Sequence, residues 1–377
     1  MLVLWGTVTG LLVYGTWLTI RHLSREPQYL DAPFALYPVS ILKPLKGSDP
    51  DLRENLQSFF NLEYPRFELL FSLADSRDSA RPIVEELMRA NPSVSAKLVI
   101  GELNIGTNPK VNNLLLTYKM ARYDWLLISD SNIRVEKNYL KRMVAQLDAG
   151  VGMITSVVMG THSSGVGARL DEVYLNTFYA RGMILTAHLG RPCVVGKSML
   201  FRRSTAERFG GIQALGQFLA EDYMAGEAMR LLGQKISISV DPICQFLGDA
   251  SIKSFWHRHI RWGRIRKAQA PLAFLFEPVI TCVGSGFLGS MAFSYFFGFS
   301  ALNFFCAHHL LWLTCDLVVV SALGAEVSLT FPFFWLVREF LHLPLWAHAS
   351  SGNTVKWRGK KLQIMEGGLT RPCQKNA

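Results

Sequence analysis

Four features of this sequence have residue types and spacings suited to chemistry. Asp75 follows the apolar run Glu68–Leu73, and Asp130 follows Trp125-Leu126-Leu127-Ile128 within Ser129-Asp130-Ser131-Asn132. A carboxylate just beyond a buried strand lies where open α/β sheets bind ligands. It is a hard oxygen ligand, suited to Mg²⁺ or Mn²⁺ carrying a diphosphate. Asp222, beside Glu221, opens the helical stretch Ala220–Leu232. Finally, Arg258-His259-Ile260-Arg261-Trp262 begins a segment with five Arg or Lys residues in the ten positions to Lys267. Each also has an ordinary reading: Asp75 and Asp130 as turn or helix caps, Asp222 as helix N-terminal charge, and the cluster as a polybasic stretch on anionic lipid.

The elements that position these residues follow from the hydrophobic pattern. From Tyr37 to about Val158, short apolar runs alternate with helical stretches, as in βαβ units. Val39–Leu42, Glu68–Leu73, Ala96–Ile100, Trp125–Ile128 and Gly152–Val158 read as strands. Leu52–Phe60 and Ile83–Arg89 read as helices, and Pro109 suits the first position of another. Asp75 and Asp130 thus fall at the carboxyl ends of different strands. Ser163–His188 reads as an amphipathic helix that either packs on the core or lies on a membrane surface. Val194–Phe201 resumes strand character, and Gly210-Gly211 makes a turn.

Composition sets the wider frame. The chain has 377 residues, half of them hydrophobic, only 18% charged, with a net charge of +10. That balance suits a membrane-attached body with an acidic partner such as anionic lipid or a nucleotide diphosphate. Six cysteines without CxxC or CxxH spacing argue against a zinc site or disulfide framework. Met1–Ile20 carries no charged side chain and is followed by Arg21, His22 and Arg25, the pattern of an uncleaved anchor with residue 21 onward in the cytosol. Ala268 to Val337 contains no Lys or Arg, leaving room for two spans near Pro278–Phe297 and Leu302–Leu323. Phe331–Trp346 carries Arg338, Glu339 and Pro344 and reads as interfacial or re-entrant. The expected organisation is an anchor at 1–20, a soluble α/β domain at 37–267, a membrane region at 276–346 and a basic cytosolic tail at 347–377. Gly284-Ser285-Gly286-Phe287-Leu288-Gly289 fits the GxGxxG dinucleotide fingerprint, but without a βαβ context it reads as close helix packing in lipid.

Taken together, Asp75, Asp130, Asp222 and Arg258-x-x-Arg261-Trp262 match in order the Asp, Asp, Asp, (Gln/Arg)-x-x-Arg-Trp pattern of membrane-bound processive and lipid-modifying glycosyltransferases. The chain most resembles the ceramide glucosyltransferase branch. Ile41-Leu42-Lys43-Pro44-Leu45-Lys46-Gly47, Pro109-Lys110-Val111-Asn112-Asn113-Leu114, Glu221-Asp222-Tyr223 and Trp357-Arg358-Gly359 are also similar to that branch. The resemblance implies a GT-A (Rossmann-like) domain on the cytosolic face, with a UDP-sugar donor, a divalent metal and inverting transfer to a lipid hydroxyl. Asp75 would contact the nucleotide, and Lys110 would hold the uracil or diphosphate. Asp130 would coordinate the metal, and Asp222 would be the general base. Arg258 and Arg261 would neutralise charge on the leaving diphosphate, and Trp262 would line the acceptor side.

Two positions depart from the commonest pattern. Asp130-Ser131-Asn132 replaces Asp-x-Asp, so Asn132 offers the metal a carbonyl without charge. Arg258 stands where polysaccharide synthases have Gln, which favours anion binding. The resemblance also accommodates a hopanoid polyol acceptor with N-acetylglucosamine as donor sugar. Few spans are available for a polysaccharide channel, and nothing suggests a duplex-reading element for nucleic acid. A non-catalytic nucleotide-sugar-binding membrane protein is the reading from another class.

Overall fold

The computed structural model describes residues 1–26, 37–49, 51–148, 150–357 and 359–373. Its centre is an eight-stranded mixed sheet: β1 (Val39–Pro44), β2 (Phe67–Leu73), β3 (Ala96–Ile100), β4 (Trp125–Ser129), β5 (Ile133–Arg134), β6 (Val151–Ser163), β7 (Ser198–Arg202) and β8 (Lys235–Gly248). The strand order is β3-β2-β1-β4-β7-β6-β8-β5. β1 pairs parallel with β2 and β4, β2 pairs parallel with β3, and β7 runs antiparallel to both β4 and β6. Successive side chains point to opposite faces. Ile41 and Leu127 enter one core with Leu56, Phe59 and Val84 from the helices Leu52–Phe60 and Arg81–Ala90. Leu42, Leu126 and Ile128 enter the other with Leu114 and Met229 from Pro109–Met120 and Glu221–Leu231. Helices therefore cover both faces, and the inner strands must be apolar throughout. β4 is buried at every position.

The expected strands and early helices are present, most with small shifts at their ends. Pro109 starts its helix behind Asn108, whose side chain accepts from the amides of Lys110 at 2.8 Å and Val111 at 3.2 Å. Such caps contribute about 1 kcal/mol. The stretch read as one helix from Ser163 is two helices, Val166–Tyr174 and Ala180–His188, joined by a π-helical turn at Leu175–Tyr179. Its apolar side is core: Leu170, Val173, Tyr174, Leu175 and Met183 are buried. Asn176 in the turn holds β6 through both backbone groups of Gly160, at 2.7 and 2.9 Å.

Leu2–Leu23 and Ala301–Ala322, each 22 residues, are long and apolar enough to cross a bilayer. Three spans were expected. The remaining one, Cys282–Phe297, is an apolar helix of 16 residues, or roughly 24 Å against a ~30 Å hydrocarbon layer. The expected interfacial segment is the helix Phe331–Ser350, which buries Trp335, Arg338, Glu339 and Leu345. The tail is more ordered than a basic extension. Thr354–Trp357, Lys360–Ile364 and Thr370–Pro372 form a three-stranded antiparallel sheet. It docks on the body through a bridge from Leu369 to Phe218, and the Thr370 amide donates to the Gln217 carbonyl at 2.9 Å. Arg358 lies outside the described residues.

Candidate active site

Lys110 is the hub of the site. The first turn of its helix points the buried ammonium between three loops. Nζ lies 2.8 Å from Asp130 Oδ1 past β4, 3.0 Å from Glu221 Oε1, and donates to the Gly196 carbonyl at 3.2 Å. An ammonium has three N–H donors, so all of them have partners here. Burial disfavours its charge, yet Asp130, Glu221 and Asp222 outweigh burial and hold the Lys110 pKa above its ordinary value. In turn, burial of Asp130 is outweighed by Lys110, Lys197 and Lys43, which keep its carboxyl below the usual range. The expectation that Lys110 holds the donor thus meets a side chain that already bridges the carboxylates.

Asp222 begins the helix Glu221–Leu231 and is gripped from both ends. The Gly196 amide donates to Oδ2 at 2.7 Å, and the Tyr223 amide donates to Oδ1 at 2.9 Å. Each oxygen keeps a lone pair for a further partner. Burial and the neighbouring Glu221 carboxylate push the Asp222 pKa up to about 6, against the opposing pull of Lys110 and the two amides. A carboxyl tuned toward neutral pH suits a general base. Glu221 is also fixed, accepting from Asn108 Nδ2 at 2.9 Å.

Three contributors were missed in the sequence. Gly196 serves Asp222 and Lys110 at once. A Cβ there would lie 2.8 Å from Lys110 Nζ and 3.2 Å from Asp222 Oδ2, so any larger residue would displace the ammonium or the carboxylate. Lys43, wholly buried at the end of β1, donates to the Asp130 carbonyl at 2.7 Å and sits 3.7 Å from the Phe59 ring centroid. Burial lowers its pKa to about 7 against the attraction of Asp130. Burial likewise lowers Lys197 to about 8, with Asp130 opposing and Arg258 assisting. The available signal was charge: Lys43 and Lys197 are lysines within apolar strand patterns.

The other candidates lie around this centre. Asp75 follows β2 on the same sheet edge, but its side chain is half exposed and paired with Arg77 at 3.0 Å. That guanidinium holds its pKa below the ordinary value. Asn132 lies in the turn after Asp130, where its main-chain carbonyl accepts from the Phe246 amide at 2.9 Å. Arg258 pairs with the buried Asp171, which also meets His259 Nε2 at 3.0 Å. Arg261 sits over the Trp357 ring, 5.6 Å from its centroid. Trp262 stacks on Tyr174 at 5.9 Å. The rest of the basic segment is likewise engaged within the protein: Arg264 with the Thr354 carbonyl, Arg266 with Glu277 at 2.6 Å, and Lys267 with the Ser350 carbonyl at 2.7 Å.

Among the described residues no group of three or more His, Cys, Asp or Glu could hold a metal ion. Mg²⁺ commonly binds one or two carboxylates and completes its shell with water and substrate phosphates. Asp130 with the side-chain carbonyl of Asn132 has the chemistry for that substrate-assembled mode, and does not form a cage of protein ligands alone.

The model of Glycosyl transferase family 21 matches residues 3–370. Ceramide glucosyltransferase 1 of Caenorhabditis elegans is 32% identical over 339 residues, covering 88% of this chain and 73% of that protein. The ceramide glucosyltransferase of Komagataella phaffii is 28% identical, covering 96% and 89%. Among solved structures, a mannosyltransferase from Pyrobaculum calidifontis in complex with GDP-Man and Mn²⁺ superposes with a TM-score of 0.54 at 16% identity, covering 93% of this chain and 96% of that one. That likeness shows a shared GT-A fold. With the family model spanning the sheet, the site and the apolar helices, this chain belongs to Glycosyl transferase family 21.

Proposed function

We propose that this glycosyltransferase moves glucose from UDP-glucose to the primary hydroxyl of ceramide, giving β-glucosylceramide with inversion at the anomeric carbon. The observation that carries this reading is the Asp222 carboxylate, oriented by two backbone amides, tuned to about 6 and joined through Lys110 to Asp130. One Asp222 oxygen takes the proton of the acceptor hydroxyl as the acceptor oxygen attacks the anomeric carbon. The bond from that carbon to the diphosphate oxygen breaks, and its electrons leave with UDP. Arg258, which also pairs with Asp171, and Arg261 would neutralise the departing charge. Asp130 and Asn132 would hold a divalent metal, which supplies charge neutralisation at the diphosphate when bound. Asp75 borders the nucleotide. The ceramide glucosyltransferases of worm and yeast support the choice of acceptor.

In this reading Leu2–Leu23 and Ala301–Ala322 cross the membrane, Arg21 and Arg25 keep the body on the cytosolic side, and the acceptor enters from the bilayer. The test is mass spectrometry of lipids from a bacterial host that expresses the chain, supplied with ceramide and a hopanoid polyol, with Asp222→Asn as control. Hexosylceramide absent from the control supports the proposal. A hexosaminyl hopanoid keeps the mechanism and replaces both substrates. Purified protein that binds UDP yet glycosylates neither lipid points to the non-catalytic alternative.

A further inference from the structure

A second polar cluster lies apart from the Asp130–Lys110–Asp222 centre, where the basic helix Ile252–Gln269, the π-helical turn and the helix Phe331–Ser350 meet. Glu277 is 5% exposed and pairs through Oε1 with Arg266 at 2.6 Å. His342 Nε2 approaches the same oxygen at 3.7 Å. Arg338, 4% exposed, pairs with Glu339 and lies over the rings of Tyr174 and Phe178, 5.5 and 5.2 Å from their centroids. In this one region four buried polar atoms have no hydrogen-bond partner: Glu277 Oε2, His342 Nε2, Arg338 Nη2 and Arg266 Nε. Leaving such atoms unsatisfied costs roughly 1–3 kcal/mol each, so a group of them calls for an occupant. A π-helical turn at the wall is a further mark of a functional site.

We infer that this cluster receives the polar head of the lipid acceptor, a neutral N-acyl amino alcohol presenting an amide and hydroxyls. The inference rests on the proposed transfer to ceramide and assigns the residues that recognise the acceptor. Charge selects the class, because two guanidinium groups face two carboxylates (Glu277 and Glu339) and the site has no net charge to attract a phosphate. Hydrogen bonding selects the groups. Glu277 Oε2 requires an N–H or O–H donor, whereas Arg266 Nε and Arg338 Nη2 require a carbonyl or hydroxyl oxygen. An amide flanked by hydroxyls supplies both.

The test uses the full chain in lipid nanodiscs with UDP-glucose and two acceptors, a secondary-amide ceramide and its N-methyl analogue. Wild type is expected to prefer the secondary amide. Glu277→Gln is expected to raise the acceptor KM on the order of tenfold, leave the donor KM in place and erase the preference. UDP titration of the same samples reports folding, and where Glu277→Gln fails to bind UDP, His342→Gln supplies the same comparison. Acceptor KM and amide preference both retained in a UDP-binding variant overturn the inference alone. A wild type that glucosylates neither acceptor overturns the proposed function on which it rests.

Discussion

The position of the Asp222 pKa predicts how the rate depends on pH. In the proposed mechanism the acceptor proton passes to an ionised Asp222 carboxylate, so the rate follows its ionised fraction. With the pKa of the free enzyme near 6, that fraction is roughly 10% at pH 5 and roughly 90% at pH 7, so kcat/KM rises about tenfold between them. A carboxyl at the ordinary value of 3.8 would be almost fully ionised at both, and the profile would be flat. Burial is the largest cause of the shift and Glu221 the next. Glu221→Gln therefore lowers the Asp222 pKa and moves the acid limb to lower pH, retaining a larger share of its activity at pH 5 than wild type does. The assay is the initial rate of glycolipid formation at donor and acceptor well below KM, with the protein shown intact at each pH. A wild-type rate constant from pH 5 to 7, or a Glu221→Gln limb displaced to higher pH, would refute the reasoning.

Further outcomes follow from other parts of the structure. Asp222→Asn should lower transfer by about 10²–10⁴-fold, the usual worth of a general base, while calorimetry still detects UDP binding. Gly196→Ala should displace Lys110 or Asp222 and cut kcat on the order of 10²-fold with a near-normal melting temperature; an unchanged kcat would remove Gly196 from the site's architecture. Asp130→Ala should weaken donor binding and abolish its stimulation by Mn²⁺ or Mg²⁺, as read by UDP titration with and without chelator. Asp316→Leu strands the buried Arg181 and the Trp335 indole N–H that donates to Asp316 at 2.7 Å. It should cost about 3–5 kcal/mol and lower the thermal midpoint, much of which Arg181→Met should restore.

What the sequence revealed, and what it hid, divides along physical lines. Leu52–Phe60 and Ala96–Ile100 could be bounded residue by residue, because periodicity and flanking breakers are local signals. β8 was hidden by Asp241-Pro242 inside it, a pair that normally ends a strand. Here β6 and β8 accommodate it through a register shift between Ser156 and Val158. The small C-terminal sheet was read as a basic tail because Lys356, Lys360 and Lys361 mask alternation over very short strands. Of the three acids read from element ends, the structure brings Asp130 and Asp222 together around Lys110 and leaves Asp75 paired with Arg77. The role of Lys110 depends on partners brought by three separate loops, which no local pattern encodes. The basic segment read correctly as a cluster, but its charges turn inward to Asp171, Glu277 and backbone carbonyls.

The C-terminal sheet also bears on the order in which the enzyme is assembled during synthesis. The loop leading into Glu221-Asp222 is tied on one side by Asn108, which donates to the Phe218 carbonyl at 2.7 Å, and on the other by Thr370 and Leu369. Chains fold from the N-terminus as they emerge, so the Asp222 loop lacks its second tie until residue 370 has been made. By then both long apolar helices have left the ribosome and can enter the bilayer. A nascent chain carrying the sheet and all three acids thus lacks this tie until its two long apolar helices have been made, which under the proposed function places completion of the Asp222 loop after arrival at the membrane.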